Sequence, residues 1–127
     1  MRKISVLLVA LSVPVIVNGV APACSQTIVG FGIQSCGRYL EARRDRDKTA
    51  DASNRTLAFT QWLAGFLTVV NLETTKKNGI DIIEGTDLDG VMGWLDKYCR
   101  ENPLDSFDRA SWNLAAELRK RKTPKEQ

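Results

Sequence analysis

The 127-residue chain contains no histidine. That absence excludes Ser/His/Asp and Cys/His catalysis, the common histidine-containing zinc sites, and the side chain that ordinarily titrates between about pH 5 and pH 8. Cysteine is scarce: there are three, with no Cys-x-x-Cys pair, so a redox or nucleophilic thiol has neither a resolving partner nor a base to activate it. Charge of one sign is not in excess. With 18 Lys and Arg against 15 Asp and Glu, the chain lacks the strongly basic balance that nucleic-acid binding demands. The nearly continuous apolar run Ile4 to Val17 has 14 residues. A helix needs about 20 to cross a hydrocarbon core, so this run is too short. What is present, 43% hydrophobic and 26% charged residues, fits one globular domain and excludes a disordered or collagenous chain.

Arg2 and Lys3, the apolar run, and the small residues of Asn18 to Gln26 stand in the order of a secretory signal peptide. The sequence predicts a leader over residues 1–23, cut after Ala23 or after Ser25, and a domain that leaves the cytoplasm with no integral membrane segment. Cys24 follows Ala21-Pro22-Ala23, which lacks the large aliphatic residue that a lipoprotein acylation site carries three positions upstream. Without Arg2 and Lys3 the chain holds 16 cations against 15 anions. Five of those cations lie in residues 119–127, leaving residues 24–118 mildly acidic, with 11 cations against 14 anions. Residues 119–127 read as a basic tail behind the domain, or as a solvated helix end whose cations suit the negative pole of the helix dipole. No aromatic residue is interleaved there, and no nucleic-acid partner is expected.

Export leaves Cys36 and Cys99 in an oxidising compartment, where a bond between them is the expected state. Residues 24–34, with Gly30 and Gly32 and only weak alternation from Ile28 to Ile33, read as an extended lead-in. Ser35 is a fitting N-cap for a first helix carrying Cys36, Tyr39 and Leu40, and Arg43 to Ser53 reads as a loop or frayed helix end. From Thr56 to Asn71, the residues Phe59, Trp62, Leu63, Phe66 and Val70 keep the spacing of one helical face. The other faces of that helix are nearly apolar too, which predicts a central position, with Gly65 marking a close backbone approach. Asn78-Gly79 reads as a turn, followed by a docked patch of Ile80, Ile82 and Ile83. Thr86 is the expected cap of a helix carrying Leu88, Val91, Met92, Leu95 and an inward-facing Cys99, stopped at Asn102-Pro103. Asp105 or Ser106 would cap a last helix lined by Phe107, Ala110, Leu114 and Leu118, with Trp112 off that stripe. Together these elements predict an all-α fold over residues 35–118, a small bundle of about four helices clamped by one disulfide.

Asp87-Leu88-Asp89-Gly90 invites a calcium reading, but the spacing fails. An EF-hand loop begun at Asp87 needs glycine at position 92 and glutamate at position 98, where the chain has Met92 and Tyr98. Helix capping explains these carboxylates better. Glu84, Asp87 and Asp89 are the available carboxylates for acid/base work, yet no nucleophile, metal or oxyanion hole is identified beside them. No catalytic residue, cofactor or metal is expected. Asn54-Arg55-Thr56 matches a glycosylation acceptor, a short pattern with a high chance rate.

Three segments carry a family resemblance. Ser35-Cys36-Gly37-Arg38-Tyr39-Leu40 places a cysteine before an aromatic-Leu pair, and Gln61-Trp62-Leu63-Ala64-Gly65-Phe66-Leu67 places glycine before an aromatic residue. Trp94 to Arg100, followed by Phe107 and Leu118, supplies a second cysteine and a terminal helix. Over most of Ser35 to Arg119 this layout resembles the HdeA/HdeB-like family of small bacterial periplasmic proteins, with a longer spacing between the cysteines than in HdeA. Immunity proteins against type VI secreted amidases show a comparable cysteine-clamped helical layout. The resemblance implies a periplasmic domain, sometimes a homodimer, whose best-known relatives suppress aggregation of other proteins in acid. Its partners would be unfolded protein clients or, on the immunity-type pattern, one specific protein. With no histidine present, carboxylate protonation would supply the trigger. Eight acids stand against Lys97 and Arg100 between Asp81 and Asp108, and they would neutralise below about pH 3 to 4. Phe59, Trp62 and Phe66 are the expected client-binding apolar face.

Overall fold

Ser35 and Ser106 stand opposite each other in a short antiparallel bridge, and that bridge holds the start of the first helix against the start of the last. The computed structural model describes residues 27–123. The expected leader, its cleavage point, Cys24 and the last four residues of the expected tail lie outside the described residues. Four helices follow one another: α1 Cys36–Asp45, α2 Ala50–Asn78, α3 Leu88–Glu101 and α4 Phe107–Lys122. The fold is the all-α bundle that the periodicity predicts.

The lead-in is not extended throughout, because Gly30–Ile33 forms a single 3-10 turn. Its cause is a long-range contact: the Trp62 indole lies over Gly32 so closely that a Cβ there would overlap the ring. Trp62 Nε1 also donates to the Val29 carbonyl at 2.9 Å. The turn is therefore moulded on α2 rather than set by its own propensity.

At the start of α1, three of the four amides that a helix N-terminus leaves without intrahelical partners, those of Cys36, Gly37 and Arg38, find acceptors, before the first regular helical bond at Tyr39. Cys36 donates to the Asp105 carbonyl at 2.7 Å and Gly37 to the Pro103 carbonyl at 3.0 Å. Ser35 Oγ accepts from the Arg38 amide at 3.3 Å, as a cap should, and Tyr39 donates to the Ser35 carbonyl at 3.1 Å. Beyond α1 the expected loop is short. α2 begins at Ala50, where the Thr49 hydroxyl accepts from the Ala52 amide at 3.1 Å. It runs 29 residues until Gly79, at φ +68, adopts the left-handed conformation that ends helices.

Asp87, not Thr86, caps α3, its carboxylate accepting from the Gly90 amide at 2.6 Å. Thr86 lies one residue too early to reach the first turn. Asp105 and Ser106 both precede α4, but neither side chain caps it: Ser106 holds the N-cap position without a side-chain bond, and Asp105 accepts from the Tyr98 hydroxyl at 2.7 Å. α4 continues to Lys122, so Arg119, Lys120, Arg121 and Lys122 form its last turn rather than a tail. Four cations at the negative helix pole are favourably placed there.

The core is aromatic at its centre. Tyr39, Phe59 and Phe107 are fully buried, with ring centroids 4.9 to 5.5 Å apart, and Leu63, Ile82, Leu95 and Leu114 surround them. Ile82 belongs to the connector between α2 and α3. It is pinned by its amide donating to Asn71 Oδ1 at 2.8 Å, while Asp81 Oδ1 accepts from the Ile83 and Glu84 amides. Cys36 and Cys99 are disulfide-bonded and fully buried, their Cα atoms 4.9 Å apart. The bond joins the first residue of α1 to the last turn of α3 across 63 positions, a closure that restricts the unfolded chain by about 4 kcal/mol in the entropic view.

Candidate protein-binding surface

The expected apolar face does not present itself as one open surface in the folded domain. Phe59 is 1% exposed and packs against Phe31, Tyr39 and Phe107. Trp62 is half-buried over the 3-10 turn, and Phe66 stacks on it at 5.5 Å with planes 10° apart. Trp112, off the α4 stripe as its position predicts, meets Phe66 edge-on at 4.9 Å and stays 45% exposed. The three residues therefore grade along α2 from core to rim.

The opposite side of α2 is the unexpected one. Thr56 to Leu72 contains no charged residue, and within that stretch Leu57, Gln61, Ala64, Gly65, Thr68, Val69 and Leu72 all face solvent. Leu57, Val69 and Leu72 are 56%, 61% and 64% exposed. α2 thus packs against three elements but is left open on one side, where its two apolar faces predict a helix covered all round, and Gly65 has nothing within 4 Å of where a Cβ would stand. The reason is the size of the bundle: α1, α4 and the 3-10 turn cover one side of α2, and among the described residues no second layer covers the other. Beside this strip, Leu63, Ala64, Leu67 and Thr68 line a groove of about 210 Å³ with Ile83, Thr86, Asp87, Leu88 and Val91. Leu88 at one edge is 55% exposed and Trp112 marks the other. Of the eight exposed large apolar side chains among the described residues, Leu57, Val69, Leu72, Leu88 and Trp112 thus gather on or beside one helix face rather than scattering.

A larger cleft lies elsewhere and is lined mostly by charged residues. Leu40, Arg43, Arg44, Arg46, Asp47, Asp96 and Arg100 line about 630 Å³ at the end of α1. Most of its cations already have partners. Arg43 donates to Asp96 through Nε and Nη2, at 3.2 and 2.9 Å, and that hydrogen bonding raises its pKa. Arg44 pairs with Asp45 and Arg46 with Asp47. The hydrogen bonds from Arg44 and Lys48 hold the half-buried Asp45 carboxyl down to about 2. Tyr39 completes the Asp96 knot by donating to Oδ1 at 2.7 Å; burial first, then Asp96, pushes its phenol far above the ordinary tyrosine range. This cluster ties α1 to α3. Among the described residues no group of three or more His, Cys, Asp or Glu could hold a metal, and Asp87 of the acidic run is committed to its cap.

These features define a disulfide-clamped four-helix domain with one long, uncharged and uncovered helix face. No helix among the described residues is long and apolar enough to cross a membrane. No protein-family model matches the chain, and no curated protein or solved structure is significantly similar to it.

Proposed function

We propose that the protein is a non-enzymatic, exported protein-binding factor that captures polypeptide on the uncharged face of α2. The observation that carries this reading is the solvent-facing strip from Leu57 to Leu72, flanked by Leu88 and Trp112. Full burial of an aliphatic side chain is worth about 1.5 to 3 kcal/mol, so five half-exposed ones leave several kcal/mol available to a partner. Single exposed leucines need no explanation, whereas a charge-free strip of four helical turns does.

An envelope chaperone of the HdeA type, binding unfolded clients in acid, is the specific form proposed. Supporting it, four of the eight acids between Asp81 and Asp108 are acceptors at helix junctions. Asp81 holds the Ile82 turn, Asp87 caps α3, Asp96 binds Tyr39 and Arg43, and Asp105 binds Tyr98. In strong acid the chain's carboxylates as a class lose their charge while its lysines and arginines keep theirs, and that net positive charge would oppose compactness around these junctions beside the apolar groove. The disulfide would limit the expansion.

The test is light scattering from an acid-labile client taken to about pH 2 to 3 and then neutralised, with the oxidised protein or its Leu57→Lys/Leu72→Lys variant. Lysine is chosen because it stays charged in acid. Suppression by the parent and its loss in the variant are expected. No suppression at several-fold excess, or equal suppression by both, overturns the proposal. A second reading, one folded partner bound at neutral pH, is favoured by the fixed geometry of the clamped face, and a one-to-one complex at pH 7 would select it.

A further inference from the structure

Where the 3-10 turn meets α1 and α2 there is a pocket of about 180 Å³ lined by Phe31, Gln34, Arg38, Arg55 and Phe59. We infer that it binds a carboxylate carried on one apolar side chain, Arg38 and Arg55 taking the carboxylate and the two phenylalanines the apolar body. The inference stands apart from the outer face of α2, because none of these five residues belongs to the solvent-facing strip.

Its first support is an unsatisfied donor. Arg55 Nε is buried, and no acceptor among the described residues meets it. Buried donors of a charged group are normally paired, so one left over on a residue lining a pocket points to an acceptor from outside the chain. Nε is sealed from solvent, so the guanidinium must turn from Asp51 toward the pocket to reach a ligand. That turn is cheap, because Nη2 is held at 3.1 Å by a carboxylate that is 77% exposed.

The second support is the chemistry of the lining. Two cations from different helices face the pocket, and no carboxylate lines it, whereas the cleft at the end of α1 holds Asp47 and Asp96 among its arginines. The acid that pairs with Arg38 lies along its own helix, Glu41 at 3.3 Å on an exposed flank. A carboxylate can accept from both guanidiniums at once, and the Gln34 amide adds a further donor. Phe31 and Phe59, with ring centroids 4.9 Å apart, supply an apolar wall that a hydrated phosphate could not use. Size completes the argument: a cavity of roughly 150 Å³ takes benzene, so this one takes a single leucine- or phenyl-sized group. The end of a polypeptide and a small free acid share that chemistry.

The test is titration of the nitrogen-15-labelled, oxidised chain with N-acetyl-leucine in slightly acidic buffer, where arginine Nε protons exchange slowly enough to be followed. Saturable binding is expected, with the Arg55 Nε–H signal moving and uncharged N-acetyl-leucinamide binding about tenfold more weakly or worse. Arg55→Gln and Arg38→Gln should each weaken binding by about tenfold, and Arg55→Lys, which keeps the charge without the fork, should stay several-fold below the parent. Leu57→Lys/Leu72→Lys should leave this binding unchanged, so its failure and that of the α2 surface are read separately. A tetrapeptide ending in leucine that binds more tightly than N-acetyl-leucine assigns the pocket to chain ends, and phenylacetate binding more tightly than both assigns it to free acids. Equal binding of acid and amide overturns the inference. So does the absence of saturation by any of the three carboxylates up to about 50 mM, or parent-like affinity in both glutamine variants.

Discussion

The two faces of α2 have nearly the same chemistry and opposite fates. Its inner face, with Phe59, Leu63, Leu67 and Val70, is buried against α1, α4 and the 3-10 turn, while its outer face, with Leu57, Ala64, Val69 and Leu72, meets solvent. Neither face carries a charge between Thr56 and Leu72. Apolar composition thus marks surface that can be buried, and only the supply of neighbouring elements decides which surface is. A helix apolar on both sides in a bundle of four has one side left over.

The comparison breaks most visibly through truncation. Phe59→Ala should cost about 3 to 5 kcal/mol in a denaturant titration, because the ring fills the aromatic centre of the core. Leu72→Ala on the outer face of the same helix should stay within about 0.5 kcal/mol for the isolated chain. Equal losses at the two positions would mean that the outer face is covered within the monomer.

A smaller effect lies on the α1–α3 side, which is held by polar contacts. Tyr39→Phe removes the bond to Asp96 and should cost about 1 to 2 kcal/mol near neutrality. Its pH dependence has a definite sign. Burial and Asp96 raise the folded-state value above the ordinary 10.0, so the contribution is whole below about pH 10 and is lost as the pH rises above it. Unfolding curves through pH 9 to 12 should therefore be flatter for Tyr39→Phe than for the parent. Some slope should remain, because burial and Asp105 raise Tyr98 in the same direction. An unchanged alkaline limb would remove Tyr39 as its source.

The smallest effect sharpens the contrast from the solvent side. Gly65→Ala has no neighbour to disturb and should stabilise the monomer by up to about 1 kcal/mol through helix propensity alone. A destabilisation would place an unseen neighbour against that position.

Much of the architecture was legible from local pattern. The Ser35 cap, the inward turn of Cys99, the connector patch around Ile82 and the stripe of α3 all follow from spacing and capping chemistry, which act over a few residues. What escaped depends on contacts remote in sequence or on close competition between neighbours. Thr49 capping a longer α2 was hidden behind the polar run Arg43 to Ser53, although its hydroxyl three residues before Ala52 was a usable signal. The 3-10 turn needs the Trp62 ring, which is 30 positions away from Gly32. Asp87 prevailed over Thr86 by one residue. The aromatic trio was readable as a helical face, but its grading from buried Phe59 to rim Phe66 required the other helices. For the outer face, the missing charge between Thr56 and Leu72 was in plain view, and its exposure was not.

The central claim is that the uncharged outer face of α2 binds protein. It is tested most directly by client light scattering through an acid pulse, comparing the oxidised parent with Leu57→Lys/Leu72→Lys after both have been shown to fold equally at pH 7. Protection by the parent and none by the variant is the expected result. Equal protection by the two chains would contradict the claim and move binding off this face.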